Sequence, residues 1–173
     1  MGTHAITLNP YLGKDSIDPF LEFPEKGVFL LCKTSNPGAG DLQDLTVDRG
    51  PWTNDSRSPS TVDLPRSVPL YIHVAQLAQT WNTHNNIGLV VGATQSEALA
   101  RVRTAAPDLW FLSPGVGAQG ADMETALKAG LRKDGKGMLI NVSRSLARAE
   151  NPGMAAAELR DEIVSVRRKM NQS

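Results

Sequence analysis

Five times along this chain a short apolar run gives way to a helical pattern, and that alternation limits the fold more than any other feature. Residues 5–8 (AITL), 28–33 (VFLLCK), 89–91, 109–112 and 138–141 (MLIN) have the length and apolar density of strands. Residues 15–23, 95–105, 122–132 and 155–170 carry helical spacing, and a longer helix is expected from Ser67, its N-cap. On that helix Tyr71, Val74, Ala75, Ala78 and Trp81 form one apolar stripe, ended by the polar cluster at 82–86. In 15–23 the apolar side is Ile17, Phe20 and Leu21. The strands are near-continuous apolar runs, the pattern of a parallel sheet covered on both faces.

Strand–helix repetition at this spacing predicts an α/β fold with a parallel sheet wrapped by helices. Two architectures meet that description. An open doubly wound sheet is complete with five strands, whereas a (β/α)8 barrel takes eight units and about 250 residues. For 173 residues the second reading means a partial barrel of about five βα units. Residues 38–66, with DRGPWTNDSRSPS at their centre, read as an exposed loop inside one domain spanning 1–173. Trp52 is taken as an anchor in that loop, and Trp81 and Trp110 as core residues.

The 18 Lys+Arg balance 18 Asp+Glu, so no basic surface recommends nucleic acid as a partner. One cysteine rules out a disulfide framework, and Cys32 inside its apolar run reads as a small buried hydrophobe. His4, His73 and His84 lack metal-ligand spacing, so no metal is expected. No apolar run approaches the roughly 20 residues of a membrane span, and the N-terminus shows no signal-peptide pattern. No membrane partner is expected, and the cytoplasm is the expected location.

In both architectures chemistry sits at the C-terminal ends of the strands. The segments that follow the strands are 9–11 (NPY), 34–38 (TSNPG), 92–94 (GAT), 113–119 (SPGVGAQ) and 143–145 (SRS). They are rich in glycine, hydroxyl, amide and Arg groups and nearly devoid of carboxylates, which suits an anion. Gly115, Gly117 and Gly120 let backbone N–H groups approach a ligand closely, and Gln119 adds an amide donor. A lone Arg after a strand is ordinarily a solvated surface cation. Arg144, however, follows a Gly-rich loop by one βα unit, and barrel phosphate sites are frequently built from the last two such loops. Arg grips phosphate with paired, charge-assisted hydrogen bonds, so phosphate binding is the better reading.

The strings TLNPYLG at 7–13, KTSNPG at 33–38, VGAT at 91–94, PGVGAQG at 114–120 and NVSR at 141–144 occur in this order. Together they resemble the orotidine 5′-phosphate decarboxylase family, in particular its longer subgroup in some bacteria and in kinetoplastid bifunctional enzymes. The resemblance runs from Ala5 to the last helix. It implies a (β/α)8 barrel, normally a homodimer, that converts orotidine 5′-phosphate (OMP) to uridine 5′-phosphate (UMP) in pyrimidine biosynthesis without metal or cofactor. A fusion to orotate phosphoribosyltransferase, and with it a glycosomal location, belongs to the kinetoplastid case. By motif, Ser35 would hydrogen-bond the pyrimidine, and Gln119 and Arg144 would hold the 5′-phosphate. Pro114, Val116, Gly117 and Ala118 would line the phosphate loop, supported by the Ser143 backbone. In this family the grip on a remote phosphate helps close a loop over the reacting ring.

The family's Asp-x-Lys-x-x-Asp motif, whose Lys protonates the carbanion left at C6, does not occur in the chain. The nearest string, DGKGML at 134–139, lacks the second Asp and precedes a strand, on the face of a barrel that serves stability. The resemblance aligns TLNPY about halfway round the barrel, so three units are expected upstream of Met1 and the chain corresponds to the fourth through eighth. Such a piece exposes two strand edges and is expected to self-associate. The alternatives are a catalytically inert nucleotide-phosphate-binding subunit, or another phosphate-binding barrel such as a sugar-phosphate decarboxylase. Ser35 in its SNPG string favours a pyrimidine over a sugar acid.

Overall fold

The five apolar runs become neighbouring parallel strands, laid side by side in the order in which the chain makes them. The computed structural model describes residues 2–48, 67–115 and 122–170. Its elements are β1 (Ala5–Leu8), α1 (Asp18–Leu21), β2 (Gly27–Lys33), α2 (Gly40–Gln43), β3 (Thr46–Asp48), β4 (Ser67–Pro69) and α3 (Leu70–Trp81). There follow β5 (Ile87–Val91), α4 (Ser96–Ala105), β6 (Trp110–Pro114), α5 (Met123–Gly130), β7 (Met138–Asn141), α6 (Arg144–Ala147) and α7 (Pro152–Met170). The main sheet has the order β1-β2-β5-β6-β7 with every pair parallel, and β3 and β4 form a separate antiparallel pair. A doubly wound sheet reverses its strand order at a switch point. This order never reverses, which selects barrel-type winding.

Residues opposite each other in register share a face, and alternate residues along a strand lie on opposite faces. Val28, Leu30, Ile87, Leu89, Val91 and Phe111 lie on the helix side, in one buried cluster with Tyr71, Ala75, Leu99, Val102 and Leu127. The other face carries Phe29, Leu31, Val90, Trp110, Leu112 and Leu139, matched as Phe29–Gly88–Trp110 and Leu31–Val90–Leu112–Leu139 across the strands. Trp110 and Leu139 there are 39% and 44% exposed. This is the face a closed barrel turns inward. The strands are apolar on both sides because one side meets helices and the other belongs to a barrel interior, not because helices cover both.

Trp110 is therefore not a core residue as expected; its even register with Gly88 puts it on the open face. Ser67 does not cap a helix either. It pairs with Asp48 in the β3–β4 ladder, and α3 begins at Leu70, whose N–H donates to the Leu45 carbonyl at 2.8 Å. The flanks of the expected 38–66 loop thus fold into a 3-10 turn, α2 and this hairpin, while residues 49–66, Trp52 included, lie outside the described residues. The expected helix at 15–23 splits into a 3-10 turn, Lys14–Ser16, and α1, with Pro19 in the first turn of α1. Proline has no N–H to continue a preceding helix and suits a first turn. Ile17 and Leu21 are buried as expected, but Phe20 is exposed.

At the entry ends of β6 and β7 a single side chain, Arg103 on α4, ties the fold together. Its Nε donates to Gly130 O at 2.8 Å, Nη1 to the carbonyls of Ala106, Pro107 and Leu109, and Nη2 to Gly137 O at 3.1 Å. The guanidinium lies 3.7 Å from the centre of the Phe111 ring. Burial and the neighbouring Arg132 lower its pKa to about 10, so it stays charged at neutral pH.

Candidate functional site

Because all five strands of the main sheet are parallel, the segments after them emerge at one end. These segments are bonded to one another across the sheet. Gly92 N–H donates to Lys33 O at 2.7 Å, and Ala93 N–H donates to Pro114 O at 2.9 Å. The ends of β2, β5 and β6 therefore form one continuous rim. Pro114 closes β6, and Gly115 after it has φ +99°, a left-handed conformation that glycine adopts without strain. Ser113, read from sequence as part of the loop, is instead inside β6 and fully buried on the helix side, so its hydroxyl is not presented to a ligand.

Ser35 follows β2 and is half-buried, and its hydroxyl makes no hydrogen bond among the described residues. It rests directly on Gly92: a Cβ placed at position 92 would lie 2.9 Å from Ser35 Cβ and 3.1 Å from Ser35 N. Its neighbours are tied down. The Thr34 N–H donates to Gln43 Oε1 at 2.9 Å, Gln43 Nε2 donates to Thr34 Oγ1 at 2.9 Å, and that hydroxyl donates to Asn36 Oδ1. The next residue along, Asp44, accepts from Lys33 Nζ at 2.7 Å. Lys33 is only 2% exposed, and its ammonium stands 5.5 Å from the centre of the Tyr71 ring.

Gln43, Asp44 and the inward Lys33 were not singled out from sequence. The available signal was a cation closing an apolar strand in VFLLCK, followed by acidic and amide side chains within eleven residues. Cys32 beside it is chemically quiet. Its thiol donates to Tyr71 O at 3.2 Å, and burial pushes its pKa far above the ordinary value of 9.0.

At the other end of the rim, Ser143 and Arg144 follow β7 and open α6. Both are exposed, and the Arg144 guanidinium makes no hydrogen bond or ion pair among the described residues. Val116, Gly117, Ala118 and Gln119 lie outside the described residues. Ser35 and Arg144 follow strands β2 and β7, which are three neighbours apart in the sheet. At ~4.8 Å per strand that is about 14 Å along the sheet, less across a curved one.

The opposite end of the sheet serves the fold. A cleft of about 750 Å³ opens there between Arg103, Asp108, Arg132 and Asp134. Its two arginines are already spent, Arg103 on carbonyls, and Arg132 on Asp108 O and on the Asp134 carboxylate at 2.9 Å. Asp134 also accepts from the Lys136 N–H, shaping a turn with left-handed Gly135 and Gly137. The DGKGML string is thus a structural turn at a strand entry, as its position in the sequence implied.

Winding order, one-sided helices and a rim of loops at the strand C-termini define a protein of the TIM-barrel class, present here as five of its βα units. A family model described as the orotidine 5′-phosphate decarboxylase / HUMPS family matches residues 59–159. The chain belongs to that family. A protein of Roseiflexus castenholzii named orotidine 5′-phosphate decarboxylase is 42% identical over 172 residues, covering 99% of this chain and 57% of the relative. The solved Leishmania donovani OMP decarboxylase is 51% identical with a TM-score of 0.78, covering 95% of this chain and 57% of that one. The Leishmania donovani UMP synthase is 53% identical with a TM-score of 0.80, covering 95% of this chain and 33% of that one. The chain spans a little over half the length of the decarboxylases it matches.

Proposed function

We propose that this chain forms the pyrimidine- and phosphate-binding half of an orotidine 5′-phosphate decarboxylase, the carboxy-lyase that releases CO2 from OMP to give UMP. The observation that carries the reading is that a hydroxyl, Ser35, and a guanidinium, Arg144, both unpartnered among the described residues, stand at the same end of one parallel sheet. Ser35 hydrogen-bonds the pyrimidine. Arg144 holds the 5′-phosphate together with Gln119, in a pocket edged by Pro114, Val116, Gly117 and Ala118 and backed by the Ser143 main chain.

With no carboxylate partner among the described residues, the Arg144 guanidinium is available to a dianion. The paired donors of a guanidinium suit phosphate oxygens. Binding energy won at the phosphate holds the base against Ser35 and serves the reaction when a complete barrel supplies the proton donor for C6. That donor and its carboxylate partners are assigned to barrel units beyond these five, since the Asp-x-Lys-x-x-Asp string is absent from the chain. No cofactor enters this scheme.

A homodimer is part of the proposal, supported by the exposed Tyr11, Leu12, Leu42 and Leu45 on the segments that follow β1 and β2. The likeness to a UMP synthase supports fusion to orotate phosphoribosyltransferase as the arrangement in which such a unit works. The cytoplasm is the proposed location, with the glycosome in a kinetoplastid fusion. Among the described residues no helix is long and apolar enough to cross a membrane.

Calorimetric titration of the chain with UMP tests the reading. Binding is expected, and Arg144→Ala is expected to weaken it about tenfold to a hundredfold, the worth of a charge-assisted hydrogen-bond set. Equal affinity in both proteins refutes the phosphate assignment. Binding without decarboxylation of OMP, persisting when the upstream barrel units of a relative are added, would instead favour an inert nucleotide-binding subunit.

A further inference from the structure

Ser35 contributes a hydroxyl that makes no hydrogen bond among the described residues, yet the chain around it is held from two sides. On one side is Gln43. Its amide is used at both ends on a single residue: the oxygen accepts the Thr34 N–H and the nitrogen donates to Thr34 Oγ1, each at 2.9 Å. The Thr34 hydroxyl in turn donates to Asn36 Oδ1, so the residues before and after Ser35 belong to one directed chain of hydrogen bonds. Gln43 can do this because α2 is nailed to the sheet one residue further on. There Asp44 meets the buried Lys33 Nζ at 2.7 Å, and Lys33 is packed against Tyr71. Residues 33 to 44 thus form a loop whose two ends are cross-tied twice, by an ion pair and by a two-point amide bond.

On the other side is Gly92. Of the three atoms that a Cβ there would meet, two are main-chain atoms of Ser35, N at 3.1 Å and Cα at 3.3 Å, and the third is its Cβ at 2.9 Å. No rotamer change of Ser35 relieves such contacts, because none of these atoms moves with its χ angle. The Gly92 N–H is meanwhile fixed to Lys33 O at 2.7 Å, so Gly92 cannot retreat without breaking the β2–β5 rim.

We propose that Gln43 and Gly92 are positioning residues for pyrimidine recognition: Gln43 clasps the Ser35 loop from the side, Gly92 seats it from below, and together they aim the Ser35 hydroxyl at the base. The proposal rests on the nucleotide reading given above. Preorganisation of this kind is lost by displacements on the order of 1 Å. It concerns the base end only, since Arg144 lies three strands away and shares no bond with this loop among the described residues.

The test is a split between two ligands. Gln43→Ala and Gly92→Ala are made in the 173-residue chain, and each protein is titrated with UMP and with ribose 5-phosphate, which carries the phosphate without the base. Both substitutions are expected to weaken UMP binding up to about tenfold, the worth of one neutral hydrogen bond, while leaving ribose 5-phosphate within twofold of the parent. Combining either with Ser35→Ala is expected to cost little beyond Ser35→Ala alone, because all three act through one hydroxyl. Gln43 is half-buried on an otherwise exposed four-residue helix, so its variant decides the matter if Gly92→Ala does not fold.

Unchanged UMP affinity in Gln43→Ala overturns the proposal, as does an equal loss for both ligands or full additivity with Ser35→Ala. If the parent chain binds ribose 5-phosphate but UMP no better, the pyrimidine assignment itself fails, and the proposal with it. A parent that prefers UMP, with variants that match it, removes the proposal alone.

Discussion

Replacing Arg103 by Met keeps the apolar stem over Phe111 and removes every hydrogen bond its guanidinium makes. Five carbonyls lose a donor, but not all are stranded. Gly137 O also accepts the Phe111 N–H at 2.8 Å, and Pro107 is exposed to solvent. That leaves Gly130 O and Leu109 O, both 2.8 Å from Arg103, and Ala106 O at 3.1 Å, all three on buried residues. A buried acceptor stripped of its partner costs about 1–3 kcal/mol, so the three together give a loss of about 6 kcal/mol. Against the ~5–15 kcal/mol that holds a typical domain together, this is a large fraction.

Lysine should not substitute, because one ammonium cannot span acceptors that α4, α5 and two strand entries present in different directions. Urea unfolding followed by circular dichroism measures the effect. The midpoint is expected to fall sharply in Arg103→Met and to recover less than half in Arg103→Lys, with the slope unchanged. UMP affinity of the folded variant should be unaltered, since the residue lies at the opposite end of the sheet from Ser35. A Met variant within about 1 kcal/mol of the parent, or a Lys variant as stable as the parent, would refute the reasoning.

Other expectations are shorter to state. Cys32 should resist iodoacetamide in the folded chain and react fully in urea; and because burial raises its pKa, the stability it lends is complete below the ordinary value of 9.0 and declines as pH rises above it. Urea midpoints that do not change between pH 8 and pH 10, compared with Cys32→Ala, would contradict this. Asp122 caps α5 by accepting the Thr125 N–H at 2.8 Å, and hydrogen bonding from the Thr125 side chain, with that N–H second, holds its carboxyl below the usual range. Its stabilisation is therefore present above the unfolded-state pKa and lost as pH falls through the lowered one, a dependence that Asp122→Asn should remove from an acid titration of stability. The open sheet face should drive association: sedimentation should show species larger than a monomer that diminish in Trp110→Glu and Leu139→Glu, whereas a monodisperse parent monomer would mean the face is not sticky.

Strand and helix alternation was legible along the chain because backbone periodicity is local. Met138–Asn141 appears as a strand with the expected bounds, and the stripe of Tyr71, Ala75 and Ala78 is buried as its spacing requires. The motif strings were legible for the same reason, since parallel strands must deliver their following loops to one end. What those strings could not carry is which side chains face one another across sequence gaps. Trp110 is apolar and sits in an apolar run, yet its register with Gly88 turns it to the open face. Ser67 has a helix-capping side chain, yet its backbone is claimed by the β3–β4 ladder.

Lys33, Gln43 and Asp44 look unremarkable in a row of letters, because an ion pair eleven residues long in sequence exists only once α2 folds back on β2. Gly92 reads as one glycine among fifteen, and its role depends on the missing Cβ lying where Ser35 rests. Local propensity and loop chemistry were therefore set by the order of residues. The choice of barrel winding over a doubly wound sheet, the support of Ser35 and the five-carbonyl grip of Arg103 came from tertiary packing, since each depends on distances between residues that the chain's covalent order leaves free.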